Sequence, residues 1–343
     1  EGAARWRACC RKTRTEELMP VRVSMPLSMP VPMSVLMRLV LALLACSMIF
    51  TGSAALAAPA LVLDAPESVA RGDAFPALAV SDAPTKAFTF RWLGKTYEAR
   101  AEQVSVSSAP GSAAGAAMRC QAVILLPVPL EEKEAARDLA VSLGGAKDAP
   151  LTARRIALFD KDRPVQKLNV EKKYVDPPAD VMARIKADRE LVRQALAQRL
   201  PERLWVLPFV RPVPGDISSL YGLKRVFNGQ PRGVHKGLDL RGPQGQQVLA
   251  CADGQVVLTG NLYFSGNVVY INHGEGVFTA YLHLSEILVQ NGDRVRKGQV
   301  VGLVGATGRV TGPHLHLSLL VQGESVDPQP FLTTGNAAKE KNP

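Results

Sequence analysis

The 343-residue sequence lacks the features that mark several large classes of protein. Beyond its first 57 residues it has no run of twenty apolar residues, which argues against a chain that crosses a membrane many times. It has no block of five or more lysines and arginines, so its net charge of +10 does not indicate nucleic-acid binding. It has no Cys-x-x-Cys pair and therefore no thiolate zinc site. What remains is an ordinary folded composition, 47% hydrophobic, and enough length for two domains.

The beginning of the chain has the pattern of an export signal. Met37 and Arg38 give a short positive start, Leu39–Phe50 is apolar, and Ala55–Ala57 is a small-x-small cleavage site. We expect cleavage after Ala57 and a periplasmic, cell-envelope or secreted location. The weaker alternative is lipidation at Cys46, so membrane contact is expected only through the signal or such an anchor. No oligomeric state follows from the sequence.

Cysteine is scarce after that segment, where only Cys120 and Cys251 remain. A disulfide between two distant positions needs special geometry, even in an oxidising compartment. We expect two buried, unpaired thiols.

After the upstream segment and signal of residues 1–57, the chain divides by local composition and apolar patterning into four parts. Residues 58–170 contain short apolar runs between Pro, Gly and Ser clusters, which is typical of a small antiparallel, Ig-like sandwich. Residues 171–204 form a linker whose apolar positions predict a helix that packs between domains. Residues 205–332 read as a mainly antiparallel β domain, with Asn272–Gly274 as one of its turns, and residues 333–343 as a flexible tail. The predicted fold class is mainly β.

All five histidines lie between residues 235 and 316. His314 and His316 are two apart after Gly-Pro, so on a strand both side chains point to one face. His235 and Asp239 pair an imidazole with a carboxylate, and His283 follows an apolar run. Each signal alone has a structural alternative, such as an exposed strand face. Together they suffice for a zinc site with three protein ligands and one open position. Since the chain has no His-Glu-x-x-His, spare histidines would have to transfer protons.

At these residues the sequence resembles the lysostaphin-type, LytM-like zinc peptidases of peptidoglycan, over residues 212–332. The resemblance is carried by the order and spacing of several motifs: Tyr221–Arg225, His235-x3-Asp239, Ala252–Val256, Gly266–Val269, His273-Gly274-x-Gly276, Tyr281-x-His283-Leu284, Gly292-Asp293-x-Val295, Gly305-x-Thr307-Gly308, Gly312–His316 and Asp327-Pro328. The sequence departs from the family at Leu317-Ser318-Leu319, directly after the last motif histidine, which lacks the aromatic or acidic residue often seen there.

The resemblance implies one zinc ion bound by His235, Asp239 and His316. It implies that His283 and His314 are the unliganded catalytic pair, one acting as general base and the other stabilising the intermediate. His273 is expected to be structural. The implied function is an exported zinc metalloendopeptidase, a peptidoglycan hydrolase that cuts cross-links or stem peptides through a zinc-activated water.

Two other functions compete with this hypothesis. The first alternative is a non-catalytic cell-wall-binding regulator of another wall hydrolase, although no ligand is missing. A zinc peptidase that acts on proteins is the third possibility. For residues 58–170, a spacer, a wall-binding module and a lid that covers the catalytic groove remain open.

Overall fold

The computed structural model describes residues 60–106, 117–144 and 151–333. Within these residues the protein is mainly β, with 23 strands, two α-helices and two short 3-10 helices, which confirms the predicted fold class. None of the helices in this part is long and apolar enough to cross a bilayer. The predicted signal segment, Cys46 and residues 334–343 of the predicted tail lie outside the described residues.

Two sheets make up the first part of the described chain. One has the strand order β1-β3-β7-β6 and the other β2-β9-β8-β4-β5. Their strands are β1 Leu61–Asp64, β2 Ser68–Ala70, β3 Ala74–Ser81, β4 Ala87–Trp92, β5 Lys95–Arg100, β6 Glu102–Val106, β7 Ala117–Pro127, β8 Ala136–Leu143 and β9 Leu151–Phe159. All pairs are antiparallel except β2 with β9, which is parallel, so the expected antiparallel pattern holds with one exception. Assignment to the Ig-like class stays a prediction.

Apolar residues at alternate positions of both sheets fill one shared core. Trp92 is fully buried there, meets Phe75 edge to face at 5.2 Å, and donates its indole N–H to Pro127 O at 2.7 Å. Strand β7 also contributes its opposite face: Leu125, with Val123 beside it, packs into the core of the second part of the chain. Strand β7 therefore joins the two parts through packing, and Lys161 adds a bridge to Asp73 and Asp327.

Three sheets make up the second part. The largest has eight strands in the order β11-β14-β22-β18-β17-β16-β20, with β23 paired to β22, and the smaller ones have the orders β10-β12-β13 and β15-β21-β19. Their strands are β10 Val165–Leu168, β11 Ile217–Ser219, β12 Lys224–Phe227, β13 Gln230–Val234, β14 Leu238–Arg241, β15 Gln247–Leu249, β16 Gly254–Leu262, β17 Gly266–Gly274, β18 Val277–Leu284, β19 Glu286–Ile287, β20 Arg294–Val295, β21 Val300–Leu303, β22 His314–Val321 and β23 Glu324–Val326.

Two details of this part differ from the sequence-based expectation. Asn272–Gly274 ends strand β17, and the turn itself is formed by Glu275 and Gly276, both with positive φ (47° and 75°). Strand β10 comes from the predicted β-rich domain of residues 58–170 and pairs in parallel with β12, in register Gln166 to Arg225. The second part of the fold thus includes a strand from outside the predicted 205–332 domain, and the predicted boundaries themselves stay a prediction.

The predicted helix is present. A short helix, α1 (Lys172–Val175), and a 3-10 turn, Ala179–Val181, precede α2 (Met182–Ala197), and a second 3-10 turn, Gln329–Phe331, lies near the end of the described residues. Helix α2 packs its Val192, Ala195 and Leu196 side on apolar residues of β16, β17 and β18. The expectation that it packs between domains was therefore wrong: it covers one face of the large sheet. The main core is built mostly from residues 205–332 and also includes Ala74 and Leu125. Cys120 and Cys251 are buried and free, as expected.

Candidate active site

The large sheet brings four of the five predicted site residues to neighbouring strands. Asp239 lies on β14, His314 and His316 on β22, and His283 at the end of β18. The antiparallel register sets Asp239 opposite His316. Because β22 alternates, His314 and His316 both turn toward Asp239, as the two-residue spacing predicted. His235 follows β13 and enters from the small sheet beside them.

The three predicted metal ligands meet at one point. The Nδ1 atom of His316 lies 2.8 Å from Asp239 Oδ1, and His235 Nε2 lies 3.0 Å from each of these two atoms. Ligand atoms around tetrahedral zinc, at 2.0–2.2 Å from the metal, are about 3.3 Å apart. All three residues are buried. Gly237 makes the approach possible, because a Cβ at this position would collide with the His316 ring.

The hydrogen bonds around these imidazoles decide where their protons lie. The Nδ1 atom of His235 contacts Leu220 O at 2.8 Å, and a carbonyl only accepts, so this nitrogen carries the proton. Ser318 donates its hydroxyl hydrogen to Lys236 O, so it accepts from His316 Nε2 at 2.9 Å. Bare lone pairs of His235, His316 and the Asp239 carboxylate therefore converge within 3.0 Å. Such an arrangement calls for a cation, and the donor set of two nitrogens and one oxygen suits zinc.

A second layer of side chains holds the carboxylate and His235. The guanidinium of Arg225 donates to Asp239 Oδ2 at 2.8 Å, which leaves Oδ1 for the cluster of lone pairs. Ser219 Oγ lies 3.2 Å from His235 Nδ1. Gln166 of strand β10 joins the two, since its Oε1 accepts from Ser219 Oγ at 3.0 Å and from Arg225 Nε at 3.3 Å.

His283 and His314 form a second pair of imidazoles, 5.1 Å apart between ring centroids. The Nδ1 atoms of both contact backbone carbonyls at 2.8 Å, Thr307 O for His283 and Gly312 O for His314, so each Nδ1 carries the proton and each Nε2 keeps its lone pair. His283 has φ of 66°, a conformation that costs an L-residue about 1–3 kcal/mol. Its backbone N–H bond to Ser265 O, at 3.0 Å, helps to fix this conformation.

The site's buried groups have shifted pKa values. Burial lowers the pKa of His283 to about 3, assisted by His316 and His314, and lowers the pKa of His316 to about 4. Burial alone would raise the pKa of Asp239, but the adjacent His235 and His316 rings outweigh it and hold this pKa well below its usual value. At neutral pH His283 and His316 are therefore neutral and the Asp239 carboxylate is ionised.

The fifth histidine lies apart from this cluster. His273 is fully buried, with its two ring nitrogens 2.7 Å from Asp253 O and 2.7 Å from Thr279 Oγ1. Burial lowers its pKa to about 4. Both nitrogens are used in joining β16, β17 and β18, in agreement with the predicted structural role.

A cleft of about 310 Å³ opens at the site, and His235, His283 and His316 lie in its wall. Its wall also includes Arg225, Phe227, Arg232, Phe264 and Arg309. Every residue that lines it belongs to 225–318, so no residue of the first part of the described chain reaches into it. The cleft gives a substrate access to His235, His316 and His283.

Sequence reasoning assigned no role to several residues that hold this site. Arg225 belongs to the Tyr221–Arg225 motif, which indicates no function for it, and Gln166, Ser219 and Arg309 lie outside all the motifs. Ser318 was noted only as a departure, yet it fixes the tautomer of His316. Strand alternation predicts the two histidines of β22, but contacts such as that of Gln166 with Arg225 join residues 59 positions apart and follow only from the fold.

Comparison with known proteins agrees with this geometry. Residues 233–328 match the model of peptidase family M23. The chain carries a peptidase M23 domain. This confirms the resemblance for that part of the chain, and the M23 domain contains all five predicted site residues.

Two curated relatives match this chain over about a hundred residues each. The "Peptidoglycan DD-endopeptidase ShyA" of Vibrio cholerae is 52% identical over 112 residues, 32% of this chain and 26% of that protein. The "DD-carboxypeptidase/endopeptidase Mpg" of Neisseria meningitidis is 46% identical over 95 residues, 28% of this chain and 22% of that protein. The alignments thus span about a quarter of these relatives. A crystal structure of a putative peptidase M23 from Pseudomonas aeruginosa is 29% identical, covers 74% of this chain and 92% of that one, and has a TM-score of 0.49.

Proposed function

We propose that the protein is an exported zinc endopeptidase that hydrolyses peptide cross-links or stem peptides of bacterial peptidoglycan. The observation that carries the proposal is the meeting of three unprotonated donor atoms, of His235, Asp239 and His316, within 3.0 Å beside a second imidazole pair and an open cleft. The M23 domain and the names of its relatives support peptidoglycan as the substrate.

His235, Asp239 and His316 would hold one zinc ion. Bound zinc would supply a Lewis acid that lowers the pKa of water to about 7 and polarises a carbonyl. The protein's part is to present the ligands with the correct protons. Leu220 O and Ser318 fix the two tautomers, and Arg225 orients the carboxylate.

His283 and His314 would carry the proton transfers. Each has a proton on Nδ1, held by a backbone carbonyl, and a free lone pair on Nε2. One Nε2 can accept a proton from the attacking water and pass it to the leaving amine as the carbon–nitrogen bond breaks. The other ring would stabilise the oxyanion of the tetrahedral intermediate.

The scissile bond we favour is the amide between D-Ala and meso-diaminopimelate in cross-linked stem peptides. Two relatives are named as DD-endopeptidases or as a DD-carboxypeptidase/endopeptidase, and an amide between two D-centres is the bond that such names describe. Export through the segment before Ala58 would deliver the enzyme to this polymer.

The test uses the protein from residue 58 onward, purified with zinc and mixed with isolated cell-wall sacculi. Released fragments are identified by mass spectrometry, with and without a zinc chelator. We expect loss of cross-linked peptides with intact glycan strands, and we expect chelation to stop it. The His283→Ala variant, which keeps all three metal ligands, is the matched control and should release nothing.

Two outcomes would point elsewhere. Protein that holds one zinc ion and binds sacculi, but releases no fragment, would favour the non-catalytic wall-binding regulator. Release that persists with the chelator and in the His283→Ala variant would contradict the assigned site.

A further inference from the structure

Arg309 stands out in the wall of the cleft because its side chain is held without a charged partner. Its guanidinium lies between two aromatic rings, 4.7 Å from the centroid of Phe227 and 4.9 Å from that of Phe264. Its backbone N–H donates to Phe264 O at 2.8 Å. Rings on two sides fix the guanidinium by cation–π contacts and leave its N–H groups for a planar acceptor.

The other two arginines of the cleft already have anionic partners. Arg225 pairs with Asp239 at 2.8 Å and Arg232 with Asp176 at 3.0 Å. Within the described residues, Arg309 has no carboxylate within 4.0 Å, and its side chain donates no hydrogen bond. Burial and the charges of Arg225 and Arg232 lower the pKa of Arg309 to about 10, so it remains a cation at neutral pH. The cleft therefore presents an uncompensated positive charge, and a bound anion would relieve it.

The positive charge of Arg309 lies on a loop that also holds His283. Thr307, two residues earlier, holds His283 Nδ1 through its carbonyl, and Ser265, next to Phe264, accepts from the His283 backbone N–H. The loop that fixes one catalytic histidine thus also carries Arg309. Arg309 and His283 also line the same cleft, so an anion on Arg309 would share it with the bond that His283 acts on.

We propose that Arg309, clamped between Phe227 and Phe264, binds the free carboxylate on the leaving-group side of the scissile amide. The inference rests on the proposed function and names the substrate feature that the site selects. In the cross-link between D-Ala and meso-diaminopimelate, the amide nitrogen is attached to a carbon that bears a free carboxylate. A D-Ala-D-Ala terminus has the same feature. A guanidinium binds such a group through two parallel N–H···O bonds.

The test compares two substrates that differ only in this group. One is a cross-linked muropeptide dimer with the leaving-side carboxylate free, and the other is the same dimer with that carboxylate converted to a primary amide. For the full chain with zinc, we expect kcat/KM to be about 10–100-fold higher for the free acid, the range of one charge-assisted hydrogen-bonded pair. In Arg309→Gln, kcat/KM for the acid should fall to that for the amide, whose own value should change less than about twofold.

Two further variants complete the series. Arg309→Lys keeps the charge without the planar fork and should restore only part of the preference. Arg296→Gln removes an exposed arginine that does not line the cleft, and it should leave the kinetics of both substrates unchanged.

Binding by zinc-free protein gives a readout that does not depend on turnover. Isothermal titration of the two dimers should show a weaker Kd for the amide, by about the same 10–100-fold, and no difference in Arg309→Gln. Equal Kd values for acid and amide in the unaltered protein would overturn the carboxylate site. If Arg309→Gln weakened the binding of both substrates by the same factor, Arg309 would have a structural role instead. Failure of the zinc-loaded protein to cleave either dimer, with the acid still preferred in binding, would count against the proposed function alone.

Discussion

The zinc affinity of the protein should depend on Gln166, a residue 67 positions before the M23 match begins at residue 233. The Oε1 atom of Gln166 accepts from Ser219 Oγ at 3.0 Å and from Arg225 Nε at 3.3 Å. Arg225 in turn donates to Asp239 Oδ2, and Ser219 lies against His235 Nδ1. One amide oxygen thus supports two of the three candidate ligands. Gln166→Leu removes this acceptor and keeps a side chain of similar length.

The size of the effect follows from what is lost and what stays. A hydrogen bond to a charged donor contributes about 1.5–3 kcal/mol, and loss of a partner behind a metal ligand costs about 10–100-fold in affinity. In Gln166→Leu, Arg225 keeps its bond to Asp239, and Leu220 O still holds His235. We therefore expect the lower end, a zinc Kd raised about tenfold, which corresponds to about 1.4 kcal/mol.

The assay is zinc competition with a chromophoric chelator, with circular dichroism as the check on folding. Gln166→Glu keeps an acceptor for both donors and should bind zinc nearly as well as the unaltered protein. Lys167→Leu changes the next residue of the same strand, on its exposed side, and serves as the matched control. A folded Gln166→Leu protein with unchanged zinc Kd would refute the coupling between β10 and the metal site.

Three further predictions follow from the described residues. His316→Ala should lose both bound zinc and hydrolysis, whereas His283→Ala should keep zinc and lose hydrolysis. Metal analysis measures the bound zinc. A full rate of hydrolysis in His283→Ala would contradict the role of His283. Burial raises the pKa of Glu275 from 4.5 to about 7, so the folded protein favours the protonated carboxyl. This contribution to the free energy of unfolding is fully present below about pH 4.5 and is lost as the pH rises through 7. Glu275→Gln should therefore raise Tm by about 2–4 °C at pH 8 and by much less at pH 4.5. Tyr281→Phe strands the buried N–H of Cys251, bonded at 2.7 Å, and should lower the free energy of unfolding by about 1–3 kcal/mol in urea titration.

The sequence predicts the local parts of the fold and site well, for a physical reason. The period of two in a strand places His314 and His316 on one face, and the structure has both near Asp239 Oδ1, at 3.8 and 2.8 Å. Helix α2 lies within residues 171–204, where apolar residues at helical spacing predict a helix. These signals act over a few residues, so they can be read without knowledge of the fold.

The features that the sequence did not predict depend on contacts between distant segments. Asn272–Gly274 looks like a turn from its composition, but pairing with β16 and β18 extends strand β17 through it. The apolar stripe of helix α2 indicates only that one side of the helix is buried. That this side packs on the large sheet follows from the fold. In the same way, nothing near Arg309 in sequence indicates that Phe227 and Phe264 clamp it.

The most consequential of these distant contacts changes how the segment before the M23 domain should be understood. If residues 58–170 were a lid, a chain that begins at residue 202 would hydrolyse peptidoglycan faster than one that begins at residue 58. Among the residues that the structure describes, all those that line the cleft fall within 225–318, while Gln166 of β10 supports Arg225 behind the candidate metal ligand Asp239. Removing β10 should therefore weaken zinc binding by at least the tenfold expected of Gln166→Leu and lower the rate at limiting zinc. A shortened, folded chain with unchanged zinc affinity and a higher rate would favour the lid, because only relief of a cover raises the rate without altering the metal site.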